Sequence, residues 1–175
     1  MGILLITLVA GVVLIESTSI LGPVFNMDRA LPAAAVVATA WAATRRDLVQ
    51  ALLCALVFGL LAAVHAGGTS GITLLSMLAV VILSIPAQRV LPVNSVIGFA
   101  GWCVFMSLLA DTIAVLAAFV FMPGPRLWPS LLLHSPLAAL VTGVQAALVQ
   151  IAFGGLEPFI ERRQQKSTFS FPISS

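Results

Sequence analysis

From Val96 to Phe121 the chain carries one charged side chain, Asp111, and from Leu48 to Val64 it carries none. Runs of that length and character cannot be the faces of a water-soluble domain. Crossing about 30 Å of hydrocarbon takes roughly 20 mostly apolar residues, and in that solvent every backbone N–H and C=O must be satisfied within the segment, which leaves helices or closed barrels. A barrel strand alternates apolar and polar residues, whereas these runs are continuously apolar, so the sequence predicts an all-α, polytopic membrane protein.

Composition agrees. Of 175 residues, 61% are hydrophobic and 8% are charged, against roughly a quarter charged in a soluble domain. The net charge of +2 is too small to point to nucleic acid. The basic residues instead sit in short clusters beside apolar runs, where they report topology. Cys54 and Cys103 both fall inside apolar stretches and read as small packing residues.

Breakers divide the chain into six spans, forming one transmembrane domain over residues 1–163, followed by a polar, disordered cytoplasmic tail over 164–175. The first span runs from about Ile3 to Leu21 and stops at Gly22-Pro23; lacking a basic leader and a cleavage site, it reads as a retained helix. The second, Leu31 to Thr44, is Ala/Val-rich and short enough to be either a span or a half-helix, and Arg45-Arg46-Asp47 closes it. The third covers Leu48 to about His65, and a Gly-rich turn leads to the fourth, Ile72 to about Ile85, ended by Pro86. The fifth spans Val96 to Phe121, with 123–129 as its rigid exit and Trp128 in the interfacial aromatic belt. The sixth covers about Leu131 to Leu156, with Pro136 in its first turns. With both termini cytoplasmic, Arg45, Arg46, Arg89, Arg162, Arg163 and Lys166 lie inside and only Arg29 and Arg126 outside, as the positive-inside rule favours.

Ionisable groups at membrane depth are functional candidates by default. Glu16 and Asp111 are the foremost, with His65, His134, Gln145 and Gln150 behind them. Two readings stand side by side. Glu16 and Asp111 could form a proton or cation relay; alternatively, Asp111 is a protonated hydrogen-bond donor between helices and Glu16 sits in water near the outer interface. No second His or Cys follows either histidine at metalloprotease spacing, and Gly67-Gly68-Thr69-Ser70-Gly71 lacks the lysine of a phosphate loop. The reading is therefore non-enzymatic, without cofactor or metal. Glycines offer a different use, the close approach of helices: Gly59, Gly67 and Gly71 around the third helix, and Gly98 and Gly101 at the start of the fifth, are candidates for packing within the bundle or contact with a partner.

Several patches resemble the bacterial rod shape-determining protein MreD family. Glu16-Ser17-Thr18 stands where that family has a polar patch, and Pro32-Ala33 and Arg45-Arg46 where its second span opens and closes. Gly59-Leu60 followed by Gly67 and Gly71 matches its G-L-x-x-D-x-x-x-G-x-x-x-G, with Ala63 in place of the aspartate. Leu156 to Arg163 is similar to its C-terminus. The resemblance implies a divergent member: an inner-membrane component of the cell-elongation complex that supports peptidoglycan synthesis. Its implied partners are membrane lipid, the bitopic protein MreC, the elongation glycosyltransferase and transpeptidase, and, indirectly, the actin-like MreB. The alternative is the substrate-binding membrane subunit of an energy-coupling vitamin transporter, which requires a ligand pocket lined by polar and aromatic side chains near the outer face.

Overall fold

The computed structural model describes residues 2–24, 33–66, 70–121 and 128–154. Those residues form six helices and no strand: α1 (Gly2–Val24), α2 (Ala34–Arg45), α3 (Leu48–Ala66), α4 (Ser70–Val90), α5 (Val96–Phe121) and α6 (Trp128–Gly154). Four of them, α3 to α6, contain segments long and apolar enough to cross a membrane, and α1 adds a shorter apolar stretch, Leu4–Thr18. The chain is a polytopic helical membrane protein. Leu5, Val9, Leu60, Val64, Ile82, Ile97, Phe119 and Leu148 all point outward; in water such a surface would be a liability, whereas lipid solvates it without cost.

α3 pairs with α4 and α5 with α6, and α4 joins the two hairpins by packing on α5, while α1 lies on α2 and α3. At the centre is α2, which touches all five other helices. Every residue from Ala34 to Ala43 is buried. Its composition suits this place: a helix with no polar face can be enclosed on all sides without burying an unpaired polar stripe, and alanine lets neighbouring backbones come close. At 12 residues it rises only about 18 Å, well short of the hydrocarbon thickness. Its first turn meets the middle of α6, where Thr142 Oγ1 accepts the Ala33 N–H at 2.9 Å. The second segment is thus a half-helix entered at mid-depth, and Leu31 and Pro32 lie outside the described residues.

Lipid competes with the core for apolar side chains on equal terms, so what holds the bundle is close packing and the hydrogen bonds between helices. Phe58, Phe99, Met106, Val80 and Val81 fill the interior with Cys54 and Cys103, both free thiols and fully buried. Trp102 Nε1 donates to Ser84 Oγ at 3.1 Å across α5 and α4. Gln88 Nε2 donates to the Ala43 carbonyl at 2.8 Å, and Gln150 Nε2 to the Asn94 carbonyl at 3.1 Å. These tie the ends of α2, α4 and α6 to one side of the bundle.

Proline placed three boundaries differently from the sequence reading. α1 continues through Gly22-Pro23 to Val24, and α4 runs past Pro86 to Val90. Pro86 is exposed, so its ring turns away from the core, and a single missing N–H does not end a helix whose remaining ladder is intact. α6 begins at Trp128, with Pro129 at the first turn where its absent donor is harmless. Residues 128 and 129 are therefore the start of α6 and not the exit of α5, and Pro136 lies well inside the helix, again exposed. α5 has the bounds expected of it, opened by Ser95, whose Oγ accepts the Gly98 N–H at 3.0 Å. The tail over 164–175 lies outside the described residues.

Candidate functional site

The two carboxylates singled out from sequence have separate partners. Asp111, near the middle of α5, accepts from Ser135 Oγ on α6 at 2.7 Å. The helix-to-helix hydrogen bond is present, with Asp111 as acceptor and Ser135 as the hydroxyl donor. Glu16 Oε2 lies 3.2 Å from His65 Nε2, joining α1 to the last turn of α3. The relay from Glu16 to Asp111 has no counterpart in this pairing, since each acid is engaged by a different helix.

His65 Nδ1 is 2.8 Å from the Leu61 carbonyl, an acceptor, and Nε2 faces a carboxylate, also an acceptor. A neutral imidazole has one donor. A neutral ring can therefore donate to only one of the two. The His65 and Glu16 side chains are 33% and 43% exposed, which places the pair on the bundle surface at the last turn of α3. No group of three metal-ligating side chains occurs among the described residues. The His134 side chain lies outside them.

On the α2–α6 side of α1 lies a shallow, open cleft between α1, α2 and α6, with a volume of about 20 Å³. Its wall is apolar apart from Thr7 and Trp41. Arg46, at the exit of α2, reaches across to α1: its Nε donates to Thr7 Oγ1 at 3.1 Å, and its guanidinium stands 5.5 Å over the Trp41 ring. Phe153 packs edge-on against Trp41 with centroids 5.8 Å apart. Among the described residues the buried indole N–H of Trp41 has no acceptor, and the buried side-chain oxygens of Gln145 and Gln150 have no donor.

No family model, curated protein or solved structure matches this chain. What can be read of its function comes from the geometry itself.

The candidate glycines divide into two kinds. At Gly59 a side chain would meet Leu74 and Met77 of α4 at 3.0 and 3.3 Å, and at Gly98 it would run into the Pro92 carbonyl. Both serve the bundle itself. Gly71 and Gly101 are exposed with nothing near the position a Cβ would take, and Gly67 lies outside the described residues. On α5, Gly101 is flanked one turn away by Ile97, 86% exposed, and Phe105, 53% exposed, which makes a notched apolar face on the outside of the bundle.

Sequence reasoning missed Gly11, which is buried on α1 where any side chain would collide with the Phe58 ring. It also missed Thr7, Arg46 and Trp41 as a set. The available signal was Arg46: a cation directly after an enclosed helix must find polar company nearby, and Thr7 is the polar residue at the matching depth of the first helix.

Proposed function

We propose that this chain is a non-enzymatic component of a bacterial inner-membrane cell-elongation complex, a divergent relative of the MreD proteins, acting through contacts between helices within the bilayer. The observation that carries the proposal is the outward face of α5, where Ile97 and Phe105 bracket the open notch at Gly101. Small residues let a second helix approach closely in lipid, where packing and not hydrophobicity drives association. The mass of the described chain lies in its helices, with turns too small for a separate catalytic domain, as suits an adaptor. The partner of this reading is a bitopic MreC-like protein and, through it, the elongation glycosyltransferase and transpeptidase. Both termini face the cytoplasm in this arrangement, with Arg45 and Arg46 at the inner surface.

The test is affinity purification of the detergent-solubilised protein and mass-spectrometric identification of what accompanies it. Recovery of a bitopic protein with a periplasmic coiled coil, or of a cell-wall synthase, is the expected result, and Gly101→Leu reduces that recovery. Recovery of an ABC-type ATPase with its coupling subunit contradicts the proposal and makes the chain a transport subunit.

A further inference from the structure

We propose that the Glu16–His65 pair is a pH-sensitive latch, in which a protonated His65 holds the last turns of α1 against α3 and a neutral His65 lets them loosen. The inference is independent of the role proposed above. Gly11 anchors the middle of α1 against the Phe58 ring of α3, and Ile15 is the last residue of α1 that is buried among the described side chains. Beyond it the helix changes character. Glu16, Ser17 and Thr18 are partly exposed, and the Ser17 and Thr18 hydroxyls turn back to donate to the Leu14 and Ile15 carbonyls at 2.9 and 2.8 Å. Bonds of that kind slightly destabilise a helix and often bend it. Glu16 is the side chain of this stretch that reaches α3, 3.2 Å from His65 Nε2.

The imidazole stands between two acceptors, the Leu61 carbonyl at Nδ1 and the Glu16 carboxylate at Nε2. A neutral ring has one N–H and leaves one of these oxygens facing a lone pair; the imidazolium has two, satisfies both at once and brings a positive charge to the carboxylate. Taking up a proton therefore strengthens the tie between α1 and α3. The sign follows: the hold is fullest at low pH and is lost as the pH rises through the titration of the imidazole. Among the described residues, the helices packed on α3 bring no other charge to this end. Glu16 is the charged residue of α1, and His65 the titrating residue of α3 apart from its buried thiol, Cys54. α4 carries Arg89 at the end far from Ser70, and α2 carries Arg45 beside the start of α3, at the opposite end of that helix from His65.

Pulsed electron spin resonance on the full-length protein in vesicles tests this. The native cysteines are replaced and spin labels are placed at Thr18→Cys and at Val64→Cys, an exposed position of α3, so that both members of the pair stay in place. Between about pH 5 and pH 8, the range in which an unperturbed imidazole changes charge, the population at longer label separation is expected to grow about threefold, the scale open to an exposed ion pair. In the same labelled background, His65→Gln, neutral throughout, shows the longer separation at both pH values, and His65→Lys, charged throughout, shows the shorter one at both. Glu16→Gln, which keeps the histidine but removes the opposing charge, shrinks the response. A distance distribution that does not change with pH while His65 and Glu16 are both present overturns the inference, as does a change of the opposite sign. A response that survives His65→Gln, and so comes from His134 or elsewhere, overturns it too, and so does a full response in Glu16→Gln.

Discussion

Glu16, about two turns before the end of α1, and His65, in the last turn of α3, meet at 3.2 Å. The contact fixes the register of the first helix against the third. Because both side chains are substantially exposed, its role is positional and adds little to stability. In protein whose two native cysteines are replaced, the pair Glu16→Cys and His65→Cys should therefore be bridged by a short bis-maleimide, read as the mass of one added linker in the intact chain and resistance to further alkylation. Failure to cross-link in a folded sample would mean that α1 lies elsewhere on the bundle.

The enclosure of α2 predicts an unusual sensitivity for so plain a segment. Ala40 is fully buried with helices on every side. Ala40→Leu forces new methylenes into a filled space and should cost roughly 1–3 kcal/mol, measured by unfolding in mixed micelles. Leu53→Ala, at a half-exposed position of α3, should change little, since lipid replaces the lost side chain. Equal tolerance at both positions would contradict a central α2.

Gly11 and Phe58 should behave as one unit. Gly11→Ala sets a methyl against the buried ring and destabilises the bundle; Phe58→Ala alone removes a fully buried side chain at a cost of roughly 3–5 kcal/mol. The double variant is expected to be more stable than the sum of the two predicts, because contacting residues are not additive. Additive effects in a thermal-unfolding double-mutant cycle would refute the contact. Gly101→Ala, facing open space, is the neutral control for stability.

How much of this was legible in the sequence depends on the kind of information each feature needs. α5 was legible to the residue because Pro92 and Asn94 stand just before it and no proline or glycine pair breaks it before Phe121. The end of α4 was not, because Pro86 looks like a terminator and only the tertiary structure shows its ring turned outward. The Ala/Val run of α2 reads equally well as a weak span and as a buried half-helix. What decides is the Thr142 contact from a helix more than 100 residues away in sequence, at a separation of 109. Glu16 and Asp111 were recognisable as polar groups in apolar helices, yet their partners, His65 and Ser135, follow from helix order and register, which composition does not carry. Gly59, Gly71 and Gly101 drew attention for one reason, the close approach of helices, and the structure separates them by whether a neighbouring helix is present.

Asp111 and Ser135 link α5 to α6 at 2.7 Å. An asparagine still accepts that hydrogen bond, so Asp111→Asn is expected to leave folding and function largely intact. A cycle of Asp111→Ala with Ser135→Ala should give a coupling of about 0.6 kcal/mol, typical of hydrogen bonds between membrane helices. Loss of function in a normally folded Asp111→Asn protein would instead make this carboxylate part of a proton or cation path.

Asp47 follows α2 and Asn94 follows α4, and the α3–α4 hairpin brings both turns to the same end of the bundle. In protein whose two native cysteines are replaced, Asp47→Cys and Asn94→Cys should both react with a membrane-impermeant maleimide from the cytoplasmic side only. Labelling from opposite sides would break the hairpin topology, and labelling of both from the outside would invert the bundle.

The most direct measurement of the proposed role is depletion of the protein in the organism that encodes it, with cell shape and side-wall incorporation of a fluorescent D-amino acid followed together. An elongation component predicts that cells widen and round while side-wall labelling falls, and that Gly101→Leu, expressed at the normal level, fails to restore either. Rod-shaped, normally labelled cells with a defect confined to uptake of a small nutrient would contradict the account.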